Sequence, residues 1–88
     1  MKLWLVRSSL TTSAQSSRQL SLISADDTVI LQGDALFAYE TLKTALPCQV
    51  LASAEHAAVR NITLDPNSLC SQAEIADLLQ QSNMSITL

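Results

Sequence analysis

Asp26-Asp27-Thr28-Val29-Ile30-Leu31-Gln32-Gly33-Asp34-Ala35 is the stretch on which the fold turns. Two acids mark a turn. Thr28 to Gln32 is then the clearest strand in the chain, a run of β-branched and aliphatic residues. It stops at Gly33, and Gly33-Asp34 start a helix for which Asp34 is the expected N-cap, its carboxylate accepting a free backbone N–H. Ala35, Ala38, Leu42 and Ala45 or Leu46 recur at helical spacing and face inward. Pro47 forbids continuation. A strand that passes directly into a helix is half of a parallel crossover unit, so the neighbouring segments should repeat the alternation.

They do. Upstream, Leu3-Trp4-Leu5-Val6 is a short unbroken apolar run, which suits a strand buried on both faces of a parallel sheet. Seven of the ten residues from Ser8 to Ser17 are Ser or Thr. Even so, Leu10, Ala14, Ser17, Leu20 and Ile23 recur every three or four positions. A helix is expected from about Ser13 to Ser24, capped by Thr12 or Ser13, with Arg18 on its wet side. Downstream, Cys48 to Ala52 is a third strand and Glu55 to Val59 a single helical turn. Asn61 can close that turn in the left-handed conformation. Asn61 to Leu64 is expected as a short fourth strand and Asp65-Pro66-Asn67 as a turn. Ser71-Gln72-Ala73-Glu74 has the capping-box pattern, and Ile75, Leu78 and Leu79 form the apolar stripe of its helix. Met84 to Leu88 alternates and is expected as a fifth strand. The expected fold is therefore α/β: a single small three-layer domain over residues 1–88, with about five mostly parallel strands and helices on both faces. Its crossovers should be right-handed.

Composition narrows the chemistry. The 88 residues include one glycine, one histidine and two cysteines. A single glycine cannot build a phosphate-binding loop that needs two or three. One histidine and two cysteines fall short of the four ligands of a structural zinc site. Neither a metal nor any other cofactor is therefore expected. The net charge of −3 argues against a basic nucleic-acid surface. No apolar run approaches the ~18 residues of a membrane span, and the start of the chain does not read as a signal peptide. A cytoplasmic location and free thiols follow as expectations. Charged residues make up 15% and apolar residues 48%. A small domain buries only ~60–65% of its unfolded surface, so that balance leaves aliphatic surface to cover and hints at an obligate partner.

Few residues invite a chemical role. Cys70 precedes the capping-box helix, where a thiol can have a lowered pKa and become nucleophilic; the alternative is a loop cysteine with no role. Cys48, following Pro47, reads as a small buried apolar residue. His56 stands beside Glu55 after the third strand, outside the carboxyl ends of strands where α/β sheets bind ligands; a solvated or interface histidine is the plainer reading. Asp26 and Asp27 are neighbours in a turn and do not form an acid–base pair. Phe37 and Tyr39 are two apart on a helix and cannot both face inward, so one is expected exposed or at an interface. No catalytic set assembles.

The ordered segments resemble the TusB/DsrH family of sulfur-relay subunits. Leu3-Trp4-Leu5-Val6-Arg7-Ser8-Ser9 is similar to that family's first strand and its Arg/Lys-Ser-Pro turn, with Ser9 in place of the proline. Ile23 to Ala38 resembles the family's most recognisable stretch. Asp26 replaces a glycine before the strand, and Gly33-Asp34 inverts an Asp-Gly after it. Gln49-Val50-Leu51-Ala52 with Glu55 and Arg60-Asn61 is similar to the third strand and its following turn. The tail lacks a terminal tryptophan often found in the family. The resemblance implies a five-stranded DsrE/F/H-like domain that joins homologous TusC-like and TusD-like subunits in a hexamer, a dimer of trimers. That assembly takes persulfide sulfur from a TusA-like carrier and passes it through a TusE-like carrier toward 2-thiolation of the tRNA wobble uridine. The working cysteine there is the TusD subunit's, on the loop after the third strand. This chain has Ser53, Ala54 and Glu55 at that loop, and Ser16 to Leu20 where some DsrH members carry a first-helix cysteine. The implied role is a non-catalytic accessory subunit rather than an enzyme. Two alternatives are a sulfur carrier using Cys70 and a DsrH-type subunit of sulfur oxidation.

Overall fold

The structure is a computed structural model and describes residues 2–7 and 21–87. Strand β1 is Lys2–Val6 and β2 is Thr28–Leu31. A 3-10 helix, Gly33–Ala38, runs straight into α1, Tyr39–Ala45. Strand β3, Gln49–Ser53, leads directly into α2, Ala54–Val59. A 3-10 turn at Pro66–Ser68 precedes the two-residue β4, Leu69–Cys70. Helix α3, Gln72–Gln81, and β5, Met84–Thr87, complete the order. The expected helix over 13–24 falls largely outside the described residues; its last four positions are a turn at Ser21-Leu22 and then irregular chain.

All four strand pairings are parallel, in the order β4-β3-β2-β1-β5. The chain steps one way from β1 to β4, then returns across the whole sheet to β5. With ~4.8 Å between strands, that return covers about 19 Å. The ten residues of α3 supply about 15 Å of it at 1.5 Å per residue. A single crossover hand requires the returning helix to lie on the face opposite the others, and that is where α3 is found.

The strands distribute their side chains accordingly. Trp4, Val6, Val29, Leu31, Val50 and Ala52 form one face and pack with Ala35, Leu36, Tyr39 and Leu42 of the 3-10 helix and α1, and with Ala57 of α2. Leu3, Ile30 and Leu51 form the other and pack with Cys70 and with Ile75 of α3. All four residues of β2 are buried, so the absence of polar alternation in Thr28–Leu31 records two covered faces. Trp4 is 2% exposed.

Three expectations are corrected. Asn61 to Leu64 is not a strand. Asn61 does adopt the left-handed conformation, with φ of 54°. Its N–H bonds Ala58 O at 3.2 Å, and Ile62 N–H bonds Ala57 O at 2.9 Å. This is a Schellman closure of α2. It turns Ile62 and Leu64 onto the first core face, and the slot beside β3 is taken by Leu69–Cys70, paired as Ala52↔Leu69 and Ser53↔Cys70. Tertiary packing overrides the β-propensity of Ile-Thr-Leu. Second, Asp34 is not an N-cap. Gln32 holds that position without a side-chain bond, and Asp34 lies in the first turn. Third, Leu79 is 40% exposed, so the apolar stripe of α3 reduces to Ile75 and the half-buried Leu78. The capping box itself is present in both directions: Glu74 N–H bonds Ser71 Oγ, and Ser71 N–H bonds Glu74 Oε1, each at 3.2 Å.

Candidate functional site

Parallel strands deliver their carboxyl ends to one edge of the domain, and the connecting turns meet there. Arg7 follows β1, Gln32-Gly33-Asp34 follows β2, and Ser53 ends β3 and leads into α2. Gln32 N–H bonds Val6 O at 2.8 Å, tying the first two strand ends together. Arg7 Nε donates to Gln32 Oε1 at 3.1 Å. Gly33 has φ of +57°, and a Cβ there would stand 3.2 Å from Arg7 O. The one glycine therefore sits where backbone conformation and close approach both demand it.

Gly33 N–H donates to His56 Nδ1 at 2.6 Å. The His56 ring thus uses Nδ1 as an acceptor for the main chain at the end of β2. Ser53 Oγ accepts from His56 N–H at 3.5 Å and caps α2. Ser53 is 1% exposed, and its hydroxyl bonds the main chain of His56 rather than the ring. Arg60 reaches back from the end of α2, with Nη2 3.4 Å from Asp34 Oδ1 and Nη1 3.5 Å from His56 O. Asp34 is thus an ion-pair partner on the surface. Glu55 accepts from Gln72 Nε2 at 3.3 Å, linking this edge to α3.

The edge is a cross-braced polar cluster. His56 is half-buried within it, its Nδ1 committed to Gly33. Cys70 ends β4 one strand over from Ser53 and immediately before the N-cap of α3. Its thiol is 3% exposed in the second core. Burial, and secondarily the Glu74 carboxylate, pushes its pKa up. The activation expected of a thiol at a helix N-terminus is therefore not what its surroundings favour. Cys48 precedes β3 at the opposite edge, half-buried rather than fully buried, and its pKa is also raised by burial. Among the described residues, no three His, Cys, Asp or Glu side chains stand together as a metal site.

The aromatic pair divides as its spacing requires. Tyr39 is 3% exposed and belongs to the first core, while Phe37 is 70% exposed. Both line an open groove of about 300 Å³, with Leu36 and Glu40 on their side and Ile62 and Leu64 on the other. Tyr39 Oη is buried without a hydrogen-bond partner among the described residues.

Two features have no clear signal in the sequence. Asp27 and Asp26 look alike there, yet Asp27 is 4% exposed. It accepts from Trp4 Nε1 at 3.0 Å, Lys2 N–H at 3.2 Å and Ser24 N–H at 3.0 Å. Burial alone would raise its pKa; the bonds from Ser24, Trp4 and Lys2 together outweigh that and hold it below the ordinary carboxylate value. The groove is the other, since it depends on Ile62–Leu64 leaving the sheet. A buried tryptophan needing a partner for its indole N–H was the one available hint of the Asp27 latch.

The fold has a known counterpart. The NMR structure of protein Tm0979 from Thermotoga maritima is similar, with a TM-score of 0.64 and 21% sequence identity over 92% of this chain and 93% of that one. At that identity the likeness is one of fold. No family model and no curated protein matches the chain. No helix among the described residues is long and apolar enough to cross a membrane.

Proposed function

We propose that the chain is a non-catalytic structural subunit of a TusBCD-like sulfur-transfer complex in the cytoplasm, serving 2-thiolation of the tRNA wobble uridine. The observation that carries this reading is the carboxyl end of β3. The family resemblance places a relay subunit's working cysteine there. In this chain that end is closed by Ser53, 1% exposed and bonded to the main chain of α2. The parallel five-stranded fold agrees with the resemblance. The expected partners are TusC-like and TusD-like homologues in a hetero-hexamer, with TusA-like and TusE-like carriers acting on the complex rather than on this subunit.

Co-expression of the tagged chain with TusC-like and TusD-like subunits is the test. A stable complex with all three chains, active in sulfur transfer when both cysteines are replaced by serine, is the expected result. Failure to co-purify would overturn the reading.

One observation favours a second reading. Cys70 ends its strand beside Ser53 and at the start of α3, a position from which local opening would expose a thiol to this edge. Incubation with a persulfide donor followed by mass spectrometry separates the two. A one-sulfur adduct abolished by Cys70→Ser would make the chain a carrier; no adduct supports the structural role.

A further inference from the structure

Beside Phe37 an exposed aromatic side chain and an open apolar groove adjoin. Phe37 is the chain's one phenylalanine and stands 70% exposed at the end of the 3-10 helix. An aromatic side chain left in water forgoes roughly 1.5–3 kcal/mol of burial. The groove next to it is walled by Leu36, Tyr39, Ile62 and Leu64. A protruding apolar side chain and an open apolar groove thus lie on one patch.

The charges on the same patch are balanced. Glu40 lines the groove. Lys43, three residues further along α1, holds its Nζ 5.6 Å from the Tyr39 ring centroid. Neither forms an ion pair with another described residue of its own chain. One positive and one negative group beside one protrusion and one recess make a surface complementary to itself. A two-fold axis pairs such a patch with its own copy, filling each groove with the other's Phe37 and bringing Glu40 toward the partner's Lys43. A partner of single-sign charge would meet one like charge here.

We infer that a second copy of this chain docks on this groove through an isologous contact in which the two Phe37 side chains are exchanged. The contact goes beyond the relay reading and is compatible with it, because a dimer of trimers contains a two-fold axis.

Sedimentation velocity of the purified full chain from about 1 to 500 μM tests this. A monomer–dimer equilibrium is expected. Phe37→Asp should weaken it at least about tenfold, as a central aromatic anchor does. Because Phe37 is mostly exposed, the far-ultraviolet spectrum should be unchanged. Thr63→Trp, which fills the groove from an exposed lining position, should have the same effect. Glu40→Lys and Lys43→Glu should each weaken association, and the double exchange should restore it, a pattern that general destabilisation does not produce. A chain monomeric throughout, or a dimer indifferent to Phe37→Asp and Thr63→Trp, overturns the inference. Association through this patch only with a TusC-like or TusD-like subunit also overturns it, while leaving the relay reading intact.

Discussion

Asp27 shows how one carboxylate governs the entry to the sheet. Its three bonds fix the first strand's main chain at Lys2, its indole at Trp4 and the turn before β2 at Ser24. Hydrogen bonds to a charged acceptor contribute about 1.5–3 kcal/mol each and are not additive. Asp27→Ala should therefore cost about 2–4 kcal/mol at pH 7, read as a lower urea midpoint. The pH dependence has a definite sign. The carboxyl is held below its ordinary value in the fold, so its stabilisation is complete above the unfolded-state value near ~4 and is lost as pH falls through the lower folded value. The gap between wild type and Asp27→Ala should narrow below about pH 4. A gap that stays constant from pH 7 to pH 2 would refute the latch. The two thiols differ in the same local way. Cys70 is 3% exposed and Cys48 half-buried, so iodoacetamide should modify Cys48 first in the folded chain. Cys70 should react on the timescale of local opening.

The elements show which sequence signals survive packing. The capping box of α3 is read directly from Ser71 and Glu74 and is found complete, because it is satisfied within four residues. Ser71→Ala should lower stability by about 1 kcal/mol, seen as a fall of several degrees in Tm. An unchanged Tm would show that α3 is held by Ile75 alone. The segment from Asn61 to Leu64 is the contrary case. Its left-handed asparagine was legible, because that conformation is a property of the residue. Its position was not, because strand membership depends on a partner: Leu69–Cys70 takes the edge of β3, and the Schellman bonds steer Ile62 away. Asp34 is a second such case. Its type suits the role, but the 3-10 helix begins at Gly33 with Gln32 as N-cap, two residues before the position that an Asp34 cap implies.

At the scale of the whole molecule, alternation of strands and helices sufficed for a parallel sheet with covered faces. The polar edge was legible only in part. His56 was singled out by its place after a strand, whereas its bond to Gly33 joins residues 23 apart and needs the register of β2 on β3. The order β4-β3-β2-β1-β5 also sets where the molecule is firm. Strand β2 is flanked on both sides and wholly buried, while β4 has two residues and β5 is mostly exposed. Amide hydrogen exchange should be slowest in Val29 to Leu31 and in the facing residues of β1 and β3, and fastest in β4 and β5. Equal protection across all five strands would contradict this layout.

The return of α3 across the sheet has a consequence for biosynthesis. Strand β1 is made well before its second neighbour, β5, which follows the three other strands in the chain. Until then β1 stands as an open edge, with Leu3, Trp4 and Val6 beside unpaired main-chain groups. Such an edge invites pairing with other nascent chains. Emergence of β5, rather than of β2, is the moment at which that exposure ends.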